Sequence, residues 1–473
     1  MNGQNKRKHW MKPQPSKTPA NMAEREGLSE HGESLPEVRG TIAVPEHGGF
    51  WRNWRAFTGP ALLVSVGYMD PGNWSTSLTA GAEFRYLLLW VVALSSGMAI
   101  ILQICAAKLG VVTGKDLARA SRDFTPRWTR WPNWLGAELA IGACDLAEVL
   151  GSAVAIHLLF PKVSILLGVL ITAFDVMLLM GLQQLGFRKI ESFIMILVAT
   201  IAGCYFWELF VIGSAYHEFP AMGAALVRPS FGGSSRALFI AIGIIGATVM
   251  PHNLYLHSAI VQTRKYQRDE SSIRRAIRFN AIDSVVALSL AFLVNASILV
   301  LAATTFYGKE NLTLPNGHPI GDDWIQGAYH TLTPLLGLAA ASILFAIALL
   351  ASGQSSTVTG TLAGQVVMEG FMSWKMRPWL RRLVTRLLAI VPAVIVIGVY
   401  GDDKVTDLLN VSQVILGIQL PFAMIPLMYF TSRNKYMGRY VNKWFLQMTG
   451  WACVIVITAL DLYLLGRTMF GME

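Results

Sequence analysis

An all-α, polytopic membrane protein is the fold class that this sequence predicts, and three observations carry it. The 473 residues are 53% hydrophobic and only 14% charged, with a mean hydropathy of +0.46; soluble domains carry about 25% charged residues. Apolar stretches of about 20 residues, the length a helix needs to cross a bilayer, recur along the chain. The cations between them gather in alternate loops, as the positive-inside rule requires. Strands of a membrane β-barrel would alternate apolar and polar residues, so the continuous runs exclude that class.

Residues 1 to about 50 are rich in Lys, Glu, Pro, Ser and Gly. Too little apolar surface is present there to offset chain entropy, so a disordered tail is expected. It lacks the apolar core and small-residue cleavage site of a signal peptide. Eleven spans follow, at about 57–82, 87–110, 133–159, 162–184, 191–213, 236–261, 279–305, 335–365, 383–400, 405–430 and 446–466. Residues 51–473 are thus expected to form one transporter-like domain behind the tail. Clusters such as Lys115 to Arg130, Arg264 to Arg278, Lys375 to Arg386 and Arg433 to Lys443 share one side, and the opposite loops hold isolated cations such as Arg85 and Lys404. This puts the N-terminus in the cytoplasm and, with an odd span number, the C-terminus outside a cell (inner) membrane.

The net charge of +10 resides in those short loops, so it is a topology signal and no nucleic-acid partner is expected. Cys105, Cys144, Cys204 and Cys453 all fall inside apolar segments without paired spacing. They are read as buried, inert thiols. The partner the composition demands is the lipid bilayer, and nothing in the chain asks for more than a monomer.

Within the first span, Asp70-Pro71-Gly72-Asn73 sets a carboxylate, a proline and a glycine where none is favourable. Proline and glycine break helices, and an ionised Asp at membrane depth costs about 2.5–3.5 kcal/mol on insertion scales. The sixth span repeats the pattern as Met250-Pro251-His252-Asn253. Interrupted helices at matching positions of two halves point to a transporter's central site. Repeat one therefore covers about 57–213, repeat two about 236–430, and the last helix is an addition. Asp70 offers an anionic oxygen, Asn73 an amide oxygen and Met250 a thioether, and unwinding frees main-chain carbonyls near Gly67 and Ala247. Magnesium and calcium prefer all-oxygen shells, whereas a soft sulfur suits manganese, iron, cobalt or cadmium.

The third span adds Glu138, Asp145 and Glu148. Helical geometry puts positions seven and ten residues on at about −20° and −80° from the first, so the three share a broad face. Carboxylates so placed mark proton relays. His252 and His257 lie five apart and point differently, and an imidazole suits a shuttle or gate. A dication beside Asp70 disfavours its protonated form. Metal arrival would then release a proton to Asp145 and Glu148.

These stretches, with Asp145-Leu146-Ala147-Glu148 and His252 through Ser258, resemble the signature elements of the Nramp family, proton-coupled importers of divalent transition metals. The likeness covers nearly everything after residue 50 and is greater to the bacterial manganese-importer branch than to magnesium-transporting relatives. It implies a leucine-transporter-like 5+5 inverted repeat plus an eleventh helix, with the first and sixth helices broken. It also implies Asp70, Asn73 and Met250 as ligands with the Ala247 carbonyl. A tenth-span glutamine joins them in some family states, Gln413 being the better match and Gln419 the second. The resemblance further pairs ninth-span arginines with third-span carboxylates, and among Arg381, Arg382 and Arg386 we favour Arg382. Cys144 and Gly67 depart from the family pattern without changing a ligand side chain. The expected function is import of Mn2+ or Fe2+ with protons, without a cofactor. The alternatives are a magnesium transporter of the same family or an amino-acid symporter on the same architecture. An enzyme is not expected, because the polar groups sit in spans.

Overall fold

A computed structural model describes residues 34–36, 38–45, 49–174, 218–308, 324–336, 341–374, 376–401 and 404–470, with a few single positions between 175 and 217. The first elements among the described residues are strand β1 (Ile42–Ala43) and a short helix α1 (Phe50–Phe57). The first span follows in two pieces, α2 (Pro60–Ser65) and α3 (Pro71–Phe84), joined by a tight turn over Gly67–Met69. Next come α4 (Leu89–Thr113), α5 (Leu117–Phe124), α6 (Arg130–Leu159) and α7 (Ile165–Ile171), then α8 (Phe219–Val227). The sixth span is again split, into α9 (Ser235–Val249) and α10 (Pro251–Ile260), and β2 (Arg264–Lys265) follows. The remainder is α11 (Glu270–Thr305), α12 (Trp324–Leu336), α13 (Ala341–Met372), α14 (Pro378–Tyr400), α15 (Val405–Thr431), α16 (Asn434–Met437) and α17 (Trp444–Phe470).

Among the described residues, eight helices are long and apolar enough to cross a bilayer, with the broken sixth span treated as one. The first span falls outside that set because its break leaves only Pro60–Met69 as a short apolar piece. Of the expected fourth span only its start, α7, is described, and the fifth lies outside the described residues apart from single positions. The short helices α1, α5 and α12 lie mostly in stretches not expected to be spans; about two to four turns leave no span-length signal in a hydropathy profile.

Local chemistry sets both interruptions. Proline disfavours the helical region for the residue before it, so Asp70 is extended (φ −70°, ψ 167°). Pro71 then occupies the first turn of α3, where its missing N–H is harmless. In the sixth span Pro251 likewise opens α10, and Met250 before it takes φ 44°, ψ 106°. The packing is tightest between α6 and α13, α3 and α11, and α9 and α15. The two pieces of each broken helix are thereby enclosed by whole ones. In contrast, only 28% of the apolar window of α14, and the same share of α17, is buried. Their exposed Leu387, Leu388, Val391, Ile395, Ile455 and Leu462 form a surface suited to acyl chains.

Part of the segment read as a tail is held in place. Strand β1 pairs in parallel with β2, Ile42 opposite Arg264. Upstream, the Leu35 N–H donates to Glu369 Oε2 at 2.9 Å, and Arg39 donates to the Gly114 carbonyl at 3.0 Å. Arg264 in turn donates to the carbonyls of Ala56 and Thr58. Each of these bonds uses a main-chain group on at least one side, which composition does not announce. Residues 1–33 lie outside the described residues.

Candidate functional site

The two interruptions meet at the centre of the helix bundle. Asp70 caps α3: its Oδ1 accepts from the Asn73 N–H at 2.8 Å, which satisfies one of the bare amides at a helix start. The Asn73 side chain then gathers three oxygens around one nitrogen. Its Nδ2 donates to Asp70 Oδ1 at 2.8 Å, to the Ala247 carbonyl at 2.9 Å and to the Gly67 carbonyl at 3.3 Å. A carboxylate and the carbonyls from the two breaks thus converge on a single point. Asp70, Asn73 and Met250 are all buried. The second carboxylate oxygen of Asp70 has no hydrogen-bond partner.

The thioether closes the other side. A Cβ built on Gly67 would stand 3.3 Å from Met250 Sδ and would collide with the Asn253 amide. Gly67 therefore lets the sixth-helix break come against the first. A Cβ on Gly72 would strike the Gln413 amide, so Gln413, fully buried on α15, lies over the start of α3. Its Oε1 has no partner and its Nε2 donates to Ser412 Oγ at 2.9 Å. Gln419 instead lies against Gly136 at the start of α6, away from both breaks. Among the described residues no three His, Cys, Asp or Glu side chains come together as a metal cluster. The donors assembled here are a carboxylate, amides, a thioether and carbonyls.

The third-span carboxylates divide into two groups. Asp145 and Glu148 are fully buried, and both face Gly360 on α13, where a Cβ would stand 3.0 Å from Glu148 Oε1 and 3.6 Å from Asp145 Oδ1. Glu148 accepts from Thr357 Oγ1 at 3.0 Å and pairs with Arg386 at 3.9 Å, neither side chain exposed. Arg386 also donates to Thr357 Oγ1 at 3.2 Å. Removing one partner of such a buried pair typically costs about 3–5 kcal/mol. Glu138 is partly exposed and pairs with Arg381 at 2.8 Å, and Gly364 leaves room for that guanidinium.

The side chain of Arg382 lies outside the described ones; the arginines found against third-span carboxylates are Arg381 and Arg386. A run of three nearby cations gives no azimuth relative to a neighbouring helix, so sequence could not choose between them. The histidines separate, as their spacing required. His252 is buried with Nδ1 unpartnered. His257 joins Gln103 at 2.9 Å, and Gln103 donates to the Tyr68 hydroxyl at 2.8 Å. His257 is thereby linked to the first break, not to the carboxylate pair.

Sequence reasoning missed Asn295, whose Nδ2 donates to the Tyr68 carbonyl at 2.8 Å and stands 3.3 Å from Asn73 Oδ1. An amide inside the apolar run of α11 was the available signal. Ser352 on α13 was missed too; its hydroxyl and the Trp74 indole both donate to the Met69 carbonyl freed by the break.

Known proteins resemble this chain over most of its length. Residues 61–467 match the family described as natural resistance-associated macrophage protein-like. A divalent metal cation transporter MntH of Nostoc sp. is 49% identical over 446 residues, 93% of this chain and 98% of that protein. One from Listeria monocytogenes is 48% identical over 444 residues, covering 93% and 96%. The manganese transporter of Eremococcus coleocola superposes with a TM-score of 0.82 at 42% identity, covering 91% of this chain and 90% of that one. The nucleobase-cation-symport-1 transporter Mhp1 superposes at 0.57 with 14% identity over 92% and 95%, which shows the shared leucine-transporter-like inverted-repeat fold. With family, fold and paired helix breaks in agreement, the chain belongs to the Nramp family of membrane transporters.

Proposed function

We propose that this chain imports divalent transition-metal ions, manganese and iron foremost and cobalt or cadmium as softer analogues, by proton-coupled alternating access across the cell membrane. One observation carries the reading: Asp70 Oδ1 and the Ala247 and Gly67 carbonyls converge on a single buried donor, the Asn73 amide. A dication at that point would replace the N–H groups, and a flip of the amide would present its oxygen instead. Met250 Sδ and Gln413 Oε1 stand ready to complete the shell. The sulfur favours a transition metal over magnesium or calcium. The curated relatives being divalent metal cation transporters, and a solved one a manganese transporter, support the same substrate class.

For the proton, Asp70 is the coupling group, and Asp145 and Glu148 with Arg386, Glu138 with Arg381, and His252 form the onward path. The shared burial of Asp145 and Glu148 against Gly360, with Arg386 beside Glu148, supports it. The N-terminus, with the basic loops, belongs on the cytoplasmic side and the C-terminus outside, and one copy suffices for transport. Residues 51–473 form the transporter domain.

Uptake into proteoliposomes tests the proposal. Wild type should accumulate manganese under an inward proton gradient, with little magnesium or amino-acid uptake, and Met250→Ala should admit magnesium or calcium as competitors. Amino-acid uptake without manganese uptake would overturn it. Manganese uptake indifferent to the proton gradient would remove the coupling alone.

A further inference from the structure

The two interrupted helices carry the same side-chain clamp, and only one of the two clamps grips a group already assigned to the site by its charge. In the first helix, the amide of Asn73 donates to the carboxylate three residues earlier, Asp70, at 2.8 Å. In the sixth, the amide of Asn253 donates to the thioether three residues earlier, Met250, at 3.3 Å. Each asparagine follows a helix-opening proline by two positions, and each main-chain N–H bonds back to the residue its side chain holds, to Asp70 Oδ1 in one case and the Met250 carbonyl in the other. Asn253 is fully buried, and its Oδ1 has no hydrogen-bond partner. A thioether is a weak acceptor, so this bond does little for stability; what it fixes is direction. Met has three rotatable side-chain bonds and adapts readily, whereas a ligand must hold one orientation.

We propose that Asn253 is the positioning residue for the sulfur, the sixth-helix counterpart of the hold that Asn73 has on Asp70. Gly67 makes the arrangement possible, because a Cβ there would collide with the Asn253 amide nitrogen. The N–H occupies one sulfur lone pair and leaves the other for the cation. Selectivity for soft cations then resides in the unit Gly67, Met250 and Asn253, and not in the sulfur atom alone. This rests on the divalent-metal reading above.

The test compares cadmium, the softer cation, with manganese. Asn253→Leu keeps the shape and removes the donor. In proteoliposomes it should raise KM for cadmium by about tenfold and for manganese by about two- to threefold, with a smaller change in kcat than in KM for either metal. Gly67→Ala should shift the cadmium-to-manganese ratio in the same direction by displacing the amide. In the Met250→Ala background, Asn253→Leu should produce no further change in the ratio, because the group it acts through is gone. If Asn253→Leu does not fold, Asn253→Ser, which keeps a short O–H donor, should preserve the wild-type ratio more nearly than Asn253→Ala does. Equal losses for the two metals, or an undiminished effect without Met250, would overturn the proposal. Absence of any divalent-metal transport in the wild type would instead overturn the function on which it rests.

Discussion

The first and sixth helices are interrupted at matching positions, yet they hold their interruptions by different means. Asp70 sits in ordinary extended backbone, Pro71 starts the next helix, and the Asp70 carboxylate caps it. Each of these follows from the local sequence, since Asp is a good cap and Pro a good first-turn residue. Met250 instead adopts φ 44°, a conformation costly for a side chain with a Cβ, and no side chain caps α10. The Ala247 carbonyl freed just before it is satisfied from outside, by Asn73 of the first helix. The first break carries its own cap, with Asn295 and Ser352 bonding two of its carbonyls from other helices; the second has no cap, and its freed carbonyl is held by the first. The helix that supplies the carboxylate therefore also organises the helix that supplies the sulfur.

Four changes would break or sharpen that contrast. The largest effect is expected from Asp70→Ala, which removes both cap and anionic donor: manganese uptake in proteoliposomes should fall to the level of empty vesicles. Retained uptake would mean that the first break is not the organising one. Asn73→Leu comes next, since it leaves the Gly67 and Ala247 carbonyls without this donor. Each buried acceptor left unpaired costs about 1–3 kcal/mol, so the melting temperature in detergent should drop. Amide exchange at Met250 and Asn253 should also quicken, and exchange confined to the first helix would show the breaks to be independent.

A similar but smaller loss, about 1–3 kcal/mol, should follow Asn295→Leu through the Tyr68 carbonyl, read in the same melting assay. Were it silent, the first helix would need no help from α11. The smallest effect separates two substitutions at one position. Met250→Gly should be more stable than Met250→Ala by about 1 kcal/mol, because glycine takes positive φ without penalty. Both should lose discrimination against magnesium. Equal stability would remove backbone strain as a distinction between the breaks.

Much of this arrangement was legible beforehand because it rests on costs. A proline, a glycine and a carboxylate in an apolar run need a reason, and the repeat at Met250 to Asn253 supplied one. Asp145 and Glu148 announced themselves in the same way. Whatever depends on the rotation of one helix against another was not legible. Arg386 reaches Glu148 because α14 presents that side toward α6, and no spacing along α14 alone encodes it. Gln413 and Gln419 were separated only by which neighbouring glycine each covers, Gly72 or Gly136. Polar side chains with modest costs, such as Asn253 and Asn295, carried too little signal to be singled out as site residues.

The short strand near the N-terminus also bears on how the chain is threaded. A segment that stays on one side of a bilayer can touch only loops reached after an even number of crossings. Residues 35–43 touch Gly114, Arg264 with Lys265, and Glu369, which lie after the second, sixth and eighth of the expected spans. Lys108, at the end of the second span, binds Asn442, beyond the tenth. On the other face, Arg85 binds Glu218, and Arg236 reaches both Glu83 and Asp407, after the first, fifth and ninth spans. Even loops touch even loops and odd loops touch odd. The β1–β2 pair is thus a parity check written into hydrogen bonds: it can close only when the chain between residues 43 and 264 has crossed and returned in full.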